Sequence, residues 1–448
     1  MSWLKWTVAA CVSGLAGCAT PHIEQLRDET RQLYEARSRP SANSTRESVD
    51  ADGAVRIALL KSPQVTGIYA RLGFARAELY DAARLSNPVL GYAGLSGGGS
   101  RKTDWSLSQN FTELLFRGYR VAVARSQILL AEQRVAFELL ELEASVRAAH
   151  VRYVGSRTVA TMRDRIADST RIAATYAQQL FDAGNISKLQ LARMQEAAAL
   201  ARADSLRARA DELADRNGLL TLLGLESGEA IQFVGDYSLP MAQLPVTEDV
   251  RAWALENRLD LLSAREALRF ASIADTHTRR WRWLGESSLG ISTEKEAKTL
   301  VGPSASLEIP LFNRGAGSVE RAQVTVESLR SDVKALELSI TNDIATRVAA
   351  LAATRESVSL HREKIIQVQR TIVEESRKQQ NYMLIGAFDL LAAKQHQYEG
   401  YEAYVGALRD YWLAYVELIR ATGGRYPGAK PGSEGQRMES LAAVEAGP

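Results

Sequence analysis

The sequence predicts a mainly α-helical chain that carries two β-hairpins and uses one helical design twice. Residues 89–239 and 311–426 contain no proline, the residue that breaks a helix interior. Both spans are rich in Ala, Leu, Glu, Gln and Arg, which favour helix. Each span also holds one turn sequence, at 184–187 and at 386–389. Together these observations predict two long helical hairpins in a duplicated chain.

The turn at 184–187 has the residues that end one helix and begin the next. Gly184 suits the left-handed backbone position that closes a helix, and Ser187 suits the N-cap of the following one. Gln190, three residues after Ser187, completes a capping box. In the second turn Gly386 takes the place of Gly184, and Asp389 takes the capping place of Ser187. Both pairs are 202 residues apart (386 − 184 and 389 − 187).

The N-terminus has the features of a bacterial lipoprotein leader. Residues 1–17 are predicted to be a signal peptide, with a weakly basic start and an apolar core too short to span a membrane. It ends in Leu15-Ala16-Gly17-Cys18, which resembles a lipobox, so Cys18 is the predicted lipidation site. A leader that is cleaved or retained without lipid is the alternative. Residues 18–50 are polar and are predicted to form a tether with one short helix.

The first repeat is predicted to cover residues 51–224. A helix from 51 to 60 stops at Ser62-Pro63, and a second runs from 64 to 83. A β-hairpin at about 87–112 follows, because residues 104–111 alternate between apolar and polar side chains.

The first long helix is predicted to open at Arg117-Gly118 and to run to the turn at 184. Residues 119–183 at 1.5 Å each would reach roughly 98 Å, far beyond an ordinary globular helix. Six apolar residues with spacings of 4, 3, 4, 3 and 4 form a coiled-coil seam on it: Val135, Leu139, Leu142, Val146, Ala149 and Tyr153.

A linker at 225–247 separates the first repeat from the second, which is predicted at 248–424. This repeat begins with one helix over 248–276, and a β-hairpin follows at about 281–311. Residues 301–311 alternate strictly between apolar and small or polar side chains. A membrane strand and a half-buried strand of a soluble sheet both show this pattern, and both readings stay open. Residues 425–448 are predicted to be a disordered tail.

Composition and motifs argue against several classes of function. A formal net charge of +2 in 448 residues gives no electrostatic case for nucleic-acid binding. The two cysteines, Cys11 and Cys18, leave no disulfide framework in the body of the chain. The five histidines are scattered without the spacing of metal ligands, and no nucleotide loop or Ser/His/Asp motif occurs. We therefore expect no enzyme, no cofactor and no bound metal.

Several short motifs, in the same order in both halves, resemble the TolC-like outer-membrane efflux channel family of lipoproteins. The resemblance covers about residues 51–424. The segments that carry it are 54–59 before Ser62-Pro63, Asn87-Pro88, 181–187, 303–312 and 386–391.

This resemblance implies a trimer in which each chain gives four strands to one twelve-stranded β-barrel in the outer membrane. The helices of three chains would form an α-helical tunnel through the periplasm. The chain would conduct substrates passively from an inner-membrane pump and a periplasmic adaptor, also called a membrane fusion protein. The turns, with Gly184, Ser187, Gly386 and Asp389, would dock the adaptor, and Asp389 would narrow the periplasmic mouth. A periplasmic coiled-coil adaptor or a structural lipoprotein is the alternative function.

We predict that the mature chain begins at Cys18 and carries lipid there, because stable anchoring needs more than one acyl chain and a triacylated cysteine supplies them. The intact mass of the purified protein checks this. A mature N-terminus elsewhere, or a mass without added lipid, would contradict it.

Overall fold

The computed structural model confirms the predicted fold class, a mainly helical chain with two β-hairpins. It describes residues 22–38, 49–97, 100–229, 231–235, 237, 244–295 and 298–426. The lipobox with Cys18 and the predicted tail from residue 427 onwards lie outside the described residues.

The first half of the chain contains five helices and one β-hairpin among the described residues. They are α1 (Ile23–Glu35), α2 (Ala51–Lys61), α3 (Pro63–Ala83), β1 (Val89–Gly97), β2 (Ser100–Asn110), α4 (Phe111–Asp182) and α5 (Lys188–Leu223). At 72 residues, α4 measures roughly 108 Å. All six predicted seam residues of α4 are buried.

The second half repeats the order of two helices, a β-hairpin and long helices, without a counterpart of α1 and with its first long helix divided in two. Its elements are α6 (Thr247–Asn257), α7 (Leu259–Trp281), β3 (Ser287–Lys295), β4 (Thr299–Leu307), α8 (Ala316–Leu360), α9 (Ile366–Asn381) and α10 (Ala387–Ala421). A five-residue π-helix, His361–Ile365, joins α8 to α9. The predicted second hairpin was too long, since its last strand ends at Leu307.

The predicted helix start at Arg117-Gly118 was wrong, because α4 begins at Phe111. The Asn110 Oδ1 atom accepts a hydrogen bond from the Glu113 backbone N–H at 3.0 Å, which caps the helix seven residues earlier. In the second half the chain stays irregular from Glu308 to Gly315, and Gly315 has a φ of 69°. Gly118 and Gly315 therefore occupy different structural positions.

The single helix predicted for residues 248–276 is two helices. Arg258 interrupts it with an extended backbone (φ −68°, ψ 123°). Its Nη1 atom donates to the Ala421 carbonyl at 3.0 Å, and a Cβ on Gly423 would lie 3.1 Å from the Arg258 Cα. The break is thus fixed by contacts that are distant in sequence.

The chain divides into two compact units, each built from both halves. The first comprises Met1–Leu33, Gly67–Phe137 and Leu259–Glu337. It contains one four-stranded antiparallel sheet in the order β1-β2-β3-β4. Helix contacts in this unit include an ion pair between Arg265 and Glu337 at 2.7 Å.

The second unit comprises Tyr34–Thr66, Glu138–Arg258 and Leu338–Pro448. A buried polar network holds its N-terminal part: Tyr34 Oη donates to Glu143 at 2.8 Å, and Arg147 pairs with Glu143 at 2.9 Å and with Asp52 at 2.7 Å. Breaking such a buried pair would leave an uncompensated charge, which costs several kcal/mol.

The predicted linker and the first residues of the predicted tail both pack in the second unit. Phe233 is buried with its ring against Tyr153, and Tyr237 Oη donates to the Val151 carbonyl at 2.6 Å. The Arg425 backbone N–H donates to the Arg37 carbonyl. The linker is therefore irregular in backbone yet part of the core.

None of the described helices combines the length and the apolar composition that crossing a membrane requires.

Candidate functional site: the helical turns and the sheet

The first turn has the predicted geometry. Gly184 has a φ of 74°, and the Asn185 N–H donates back to the Leu180 carbonyl at 2.8 Å, which closes α4. Ser187 is the N-cap of α5: its Oγ accepts from the Gln190 N–H at 3.2 Å, and Gln190 Oε1 accepts from the Ser187 N–H at 2.9 Å. The capping box is complete.

The second turn has a different alignment from the one predicted. The N-cap of α10 is Gly386, and Asp389 lies three residues later, where its Oδ2 accepts from the Gly386 N–H at 2.9 Å. Asp389 is therefore the counterpart of Gln190, and the predicted match with Ser187 was wrong. The repeat distance is 199 residues (386 − 187 and 389 − 190), whereas 202 was predicted.

The counterpart of Gly184 is Met383, again 199 residues later. Met383 has a φ of 58°, the only non-glycine residue with positive φ among the described residues. The Leu384 N–H donates to the Gln379 carbonyl at 2.9 Å, as Asn185 does to Leu180. A left-handed conformation costs an L-residue roughly 1–2 kcal/mol. Backbone strain of this kind is concentrated at functional sites.

The second turn also exposes three large apolar side chains. The exposed fractions of Tyr382, Met383 and Leu384 are 78%, 92% and 72%. The first turn has small or polar residues at these positions, namely Ala183, Gly184 and Asn185. The two turns therefore share a backbone but differ in surface chemistry.

An arginine on α4 joins three helices of the second unit. Arg163 pairs with Glu402 of α10 at 2.8 Å and with Asp204 of α5 at 3.4 Å. A cavity of about 500 Å³ beside it is lined by four arginines and four carboxylates. Because these charges balance, the cavity has no evident preference for anions or cations.

Towards the middle of the strands, one face of the sheet is mostly apolar. Leu90, Leu107, Ile291 and Pro303 lie opposite one another in successive strands. Tyr92 and Trp105 form the next row, with ring centroids 4.7 Å apart, and lead to Thr293 and Val301. The large side chains of these rows are exposed.

The opposite face is mostly small or polar, with Val89, Leu95 and Leu300 as its large apolar residues. One row holds Gly91, Ser106, Ser292 and Gly302, and the next holds Ala93, Asp104, Glu294 and Leu300. Lys102 pairs with Glu294 at 2.7 Å. Such alternation in the middle rows of a sheet is the pattern of strands with an apolar and an aqueous side.

Both outer strands, β1 and β4, have no neighbour on one side among the described residues. The Glu308 N–H donates to the Glu286 carbonyl, so these two residues form a hydrogen-bonded pair of the antiparallel ladder. From there along β3 and β4, hydrogen-bonded and non-hydrogen-bonded pairs alternate, and Pro303 falls in a non-hydrogen-bonded pair with Ile291. Pro303 then lies at a position whose backbone nitrogen points to the outer edge. A proline is tolerated in a sheet where it interrupts no internal ladder, as here.

Two of the histidines, His150 and His277, pack against aromatic rings. His150 is buried with its ring edge towards Phe233, and burial lowers its pKa. His277 stacks on Tyr119 with centroids 3.7 Å apart, and partial burial lowers its pKa too. No group of three or more His, Cys, Asp or Glu side chains in this part of the chain is placed to hold a metal ion.

Comparison with solved structures finds channels of one fold. The Campylobacter jejuni CmeC outer-membrane channel is 14% identical, with a TM-score of 0.70 over 91% of this chain and 96% of that one. The Vibrio cholerae outer-membrane protein VceC is 15% identical (TM-score 0.66; 84% and 96%), and the open state of the Neisseria gonorrhoeae MtrE channel is 17% identical (0.64; 86% and 94%). No protein-family model and no curated protein matches the sequence.

The chain has the fold of the TolC-like outer-membrane channels. The TolC-like fold accounts for the long helices and the two hairpins. The structural match with this chain extends over nearly the whole length of each compared channel.

The geometry of the second turn shows that sequence reasoning missed one candidate residue, Met383. Met383 was missed because sequence rules assign a positive φ to glycine. The prediction therefore aligned Gly386, and not Met383, with Gly184. The apolar run Tyr382-Met383-Leu384, next to a predicted turn, was the available signal.

We expect Gly184→Val to destabilise the first turn and Met383→Gly to leave the second unchanged or more stable. Valine at φ 74° costs about 1–2 kcal/mol, which raises local amide exchange about 5- to 30-fold, whereas glycine removes that strain. Hydrogen exchange at the Asn185 and Leu384 amides measures both effects.

Ala183→Val is the matched control, because Ala183 lies beside Gly184 without a positive φ. Equal exchange at Asn185 in the Gly184→Val and Ala183→Val proteins would show that backbone strain is not the cause.

Proposed function

We propose that this chain is the outer-membrane component of a tripartite efflux system. It conducts substrates passively from an inner-membrane pump and a periplasmic adaptor to the outside. Its strands lie in the outer membrane, its long helices lie in the periplasm, and Cys18 carries the lipid anchor. The TolC-like fold and the two-sided chemistry of the sheet support this proposal.

The observation that carries the proposal is the sheet with an apolar face and two open edges. In hydrocarbon an unpaired backbone N–H or C=O costs several kcal/mol, so only closed sheets are stable there. The four strands of one chain cannot close into a barrel, because a barrel needs about eight strands before its interior is wide enough to hold side chains. Pairing β4 of one copy with β1 of the next removes every edge, and three copies give twelve strands.

The side-chain pattern restricts how copies pair. A slip of one residue between β4 and β1 would turn the apolar face to the aqueous side. The row with Pro303 and Val301 must therefore continue into the row with Leu90 and Tyr92 of the next copy. The nitrogen of Pro303 leaves this seam one hydrogen bond short.

We expect chemical cross-linking in native membranes to stop at the trimer. Two chains would leave eight strands, without room for a duct, and one chain would leave both edges open. Electrophoresis of a cross-linker titration measures the limiting species. A monomer or dimer at saturating cross-linker would rule out the proposed assembly.

The two turns are the proposed docking site for the adaptor. Gly184 and Ser187 shape the first, and Met383, Gly386 and Asp389 shape the second. We also propose that three copies of Asp389 form a ring at the periplasmic mouth. At a spacing of about 6 Å in a water-like dielectric, each pair would repel by roughly 0.7 kcal/mol. This favours cations modestly and does not close the mouth.

Asp389→Asn separates the proposed ring from the structural role of this residue. Asparagine keeps an oxygen that can accept from the Gly386 N–H but removes the charge. We expect the variant to trimerise normally while its conductance loses sensitivity to block by divalent cations. Single-channel recordings measure the block.

Asp389→Ala is the companion variant, since it removes both the charge and the acceptor. If cation block in Asp389→Asn equals that of the wild type, the ring is wrong and only the helix-end contact remains.

A further inference from the structure

Two segments lie side by side at the base of the second hairpin. They are residues 281–286, before β3, and residues 308–315, after β4. The Glu308 N–H donates to the Glu286 carbonyl at 2.9 Å, and a Cβ on Gly315 would lie 3.2 Å from the Arg282 Cβ. The two segments therefore form one continuous surface.

This surface exposes an unusual number of large apolar side chains. They are Trp281, Trp283, Ile309, Leu311 and Phe312, the last of them fully exposed. Contiguous exposed patches of this kind mark contact sites. The patch follows directly on β4, since Ile309 and Leu311 continue in sequence the apolar series Val301, Pro303, Ala305 and Leu307.

Arginines accompany the apolar residues. The Arg282 guanidinium lies 4.4 Å from the ring centroid of Trp283, and that of Arg280 lies 5.8 Å from Trp281. Arg314 is exposed next to Gly315. Within the described residues, Arg280, Arg282 and Arg314 have no carboxylate ion pair. We call these three arginines and the five apolar residues the collar.

The acidic residues beside the collar are Glu286 and Glu308. Glu308 Oε2 accepts from the Glu286 N–H at 3.2 Å, so this carboxylate is engaged within the hairpin base. Neither glutamate forms an ion pair with a collar arginine. Three cations thus have their hydrogen-bond donors available for an external anion.

The start of α4 extends the collar in the same unit. Phe116 packs edge-on against Trp281 with centroids 5.4 Å apart, and Phe111, Leu114 and Leu115 are exposed on the same helix. An exposed belt of aromatic and aliphatic residues with arginines is the composition found where a protein meets the headgroup region of a bilayer.

We propose that the collar binds the phosphate groups of anionic phospholipids in the periplasmic leaflet of the outer membrane. Guanidinium groups match phosphate oxygens in pairs, and stacking on an indole holds them in place. The apolar residues, which lie at the base of the hairpin with the apolar face, contact the adjoining acyl chains. This inference rests on the proposed membrane position of the sheet.

The test uses the full-length protein in vesicles of equal parts phosphatidylglycerol and phosphatidylcholine, with bromine on the chains of one lipid or the other. Quenching of tryptophan fluorescence gives the association of each lipid relative to the other. Each arginine near a bilayer surface favours an anionic lipid about five-fold. We expect a preference for phosphatidylglycerol of at least about five-fold in the wild type.

We expect Arg282→Gln to lower this preference by up to about five-fold and the triple variant Arg280→Gln, Arg282→Gln, Arg314→Gln to abolish it. Arg282→Lys keeps the charge and should keep most of the preference. Arg330→Gln is the matched control, because Arg330 is an exposed arginine of α8 paired with Glu327 and outside the collar. It should leave the preference unchanged.

A wild-type preference near one, or a triple variant that keeps the wild-type preference, would overturn the collar proposal. Cross-linking in the same vesicles separates this from a failure of the proposed function. Intact trimers without a lipid preference would refute the collar alone, whereas absent trimers would refute the membrane assembly on which it rests.

Discussion

The unpaired backbone groups along the two outer strands are the constraint on which this account depends. Many sheets of soluble proteins are also apolar on one face and polar on the other. The difference lies in the unpaired backbone groups at the sheet edges. Here the apolar face is exposed, and neither edge has a neighbouring strand in the part of the chain that the structure describes. In water, exposed N–H and C=O groups are satisfied by solvent, but in hydrocarbon nothing replaces solvent. The proposed trimer follows from that difference and from the TolC-like fold.

The helices obey a simpler rule, since each must end where its backbone groups find partners. At the first turn, Gly184 and the capping box of Ser187 and Gln190 supply these hydrogen-bond partners with little backbone strain. At the second turn Met383 adopts a left-handed conformation, and only half of the capping box is present because Gly386 has no side chain. The second turn is therefore the more strained and the more apolar of the two, which suits a contact surface better than a purely structural turn.

Local rules in the sequence predicted much of this fold. The absence of proline and the heptad seam on α4 predicted the long helices, and Gly184, Ser187 and Gln190 predicted the first turn. Contacts between residues distant in sequence decided the break in the helix predicted at 248–276. The helix break at Arg258 depends on a hydrogen bond to the Ala421 carbonyl, 163 residues away, which a local sequence pattern cannot predict. The start of α4 was missed for a local reason: Asn110 fits the strand pattern as its last residue, but its Oδ1 also accepts from the backbone N–H of residue 113 and so caps the helix.

Conductance of the purified full-length protein in a planar lipid bilayer tests the central claim most directly. The account predicts discrete, long-lived current steps of one size that vary linearly with voltage, carried by a species that cross-linking shows to be a trimer. Inserted trimers that pass no current, or current steps carried by a monomer, would contradict it.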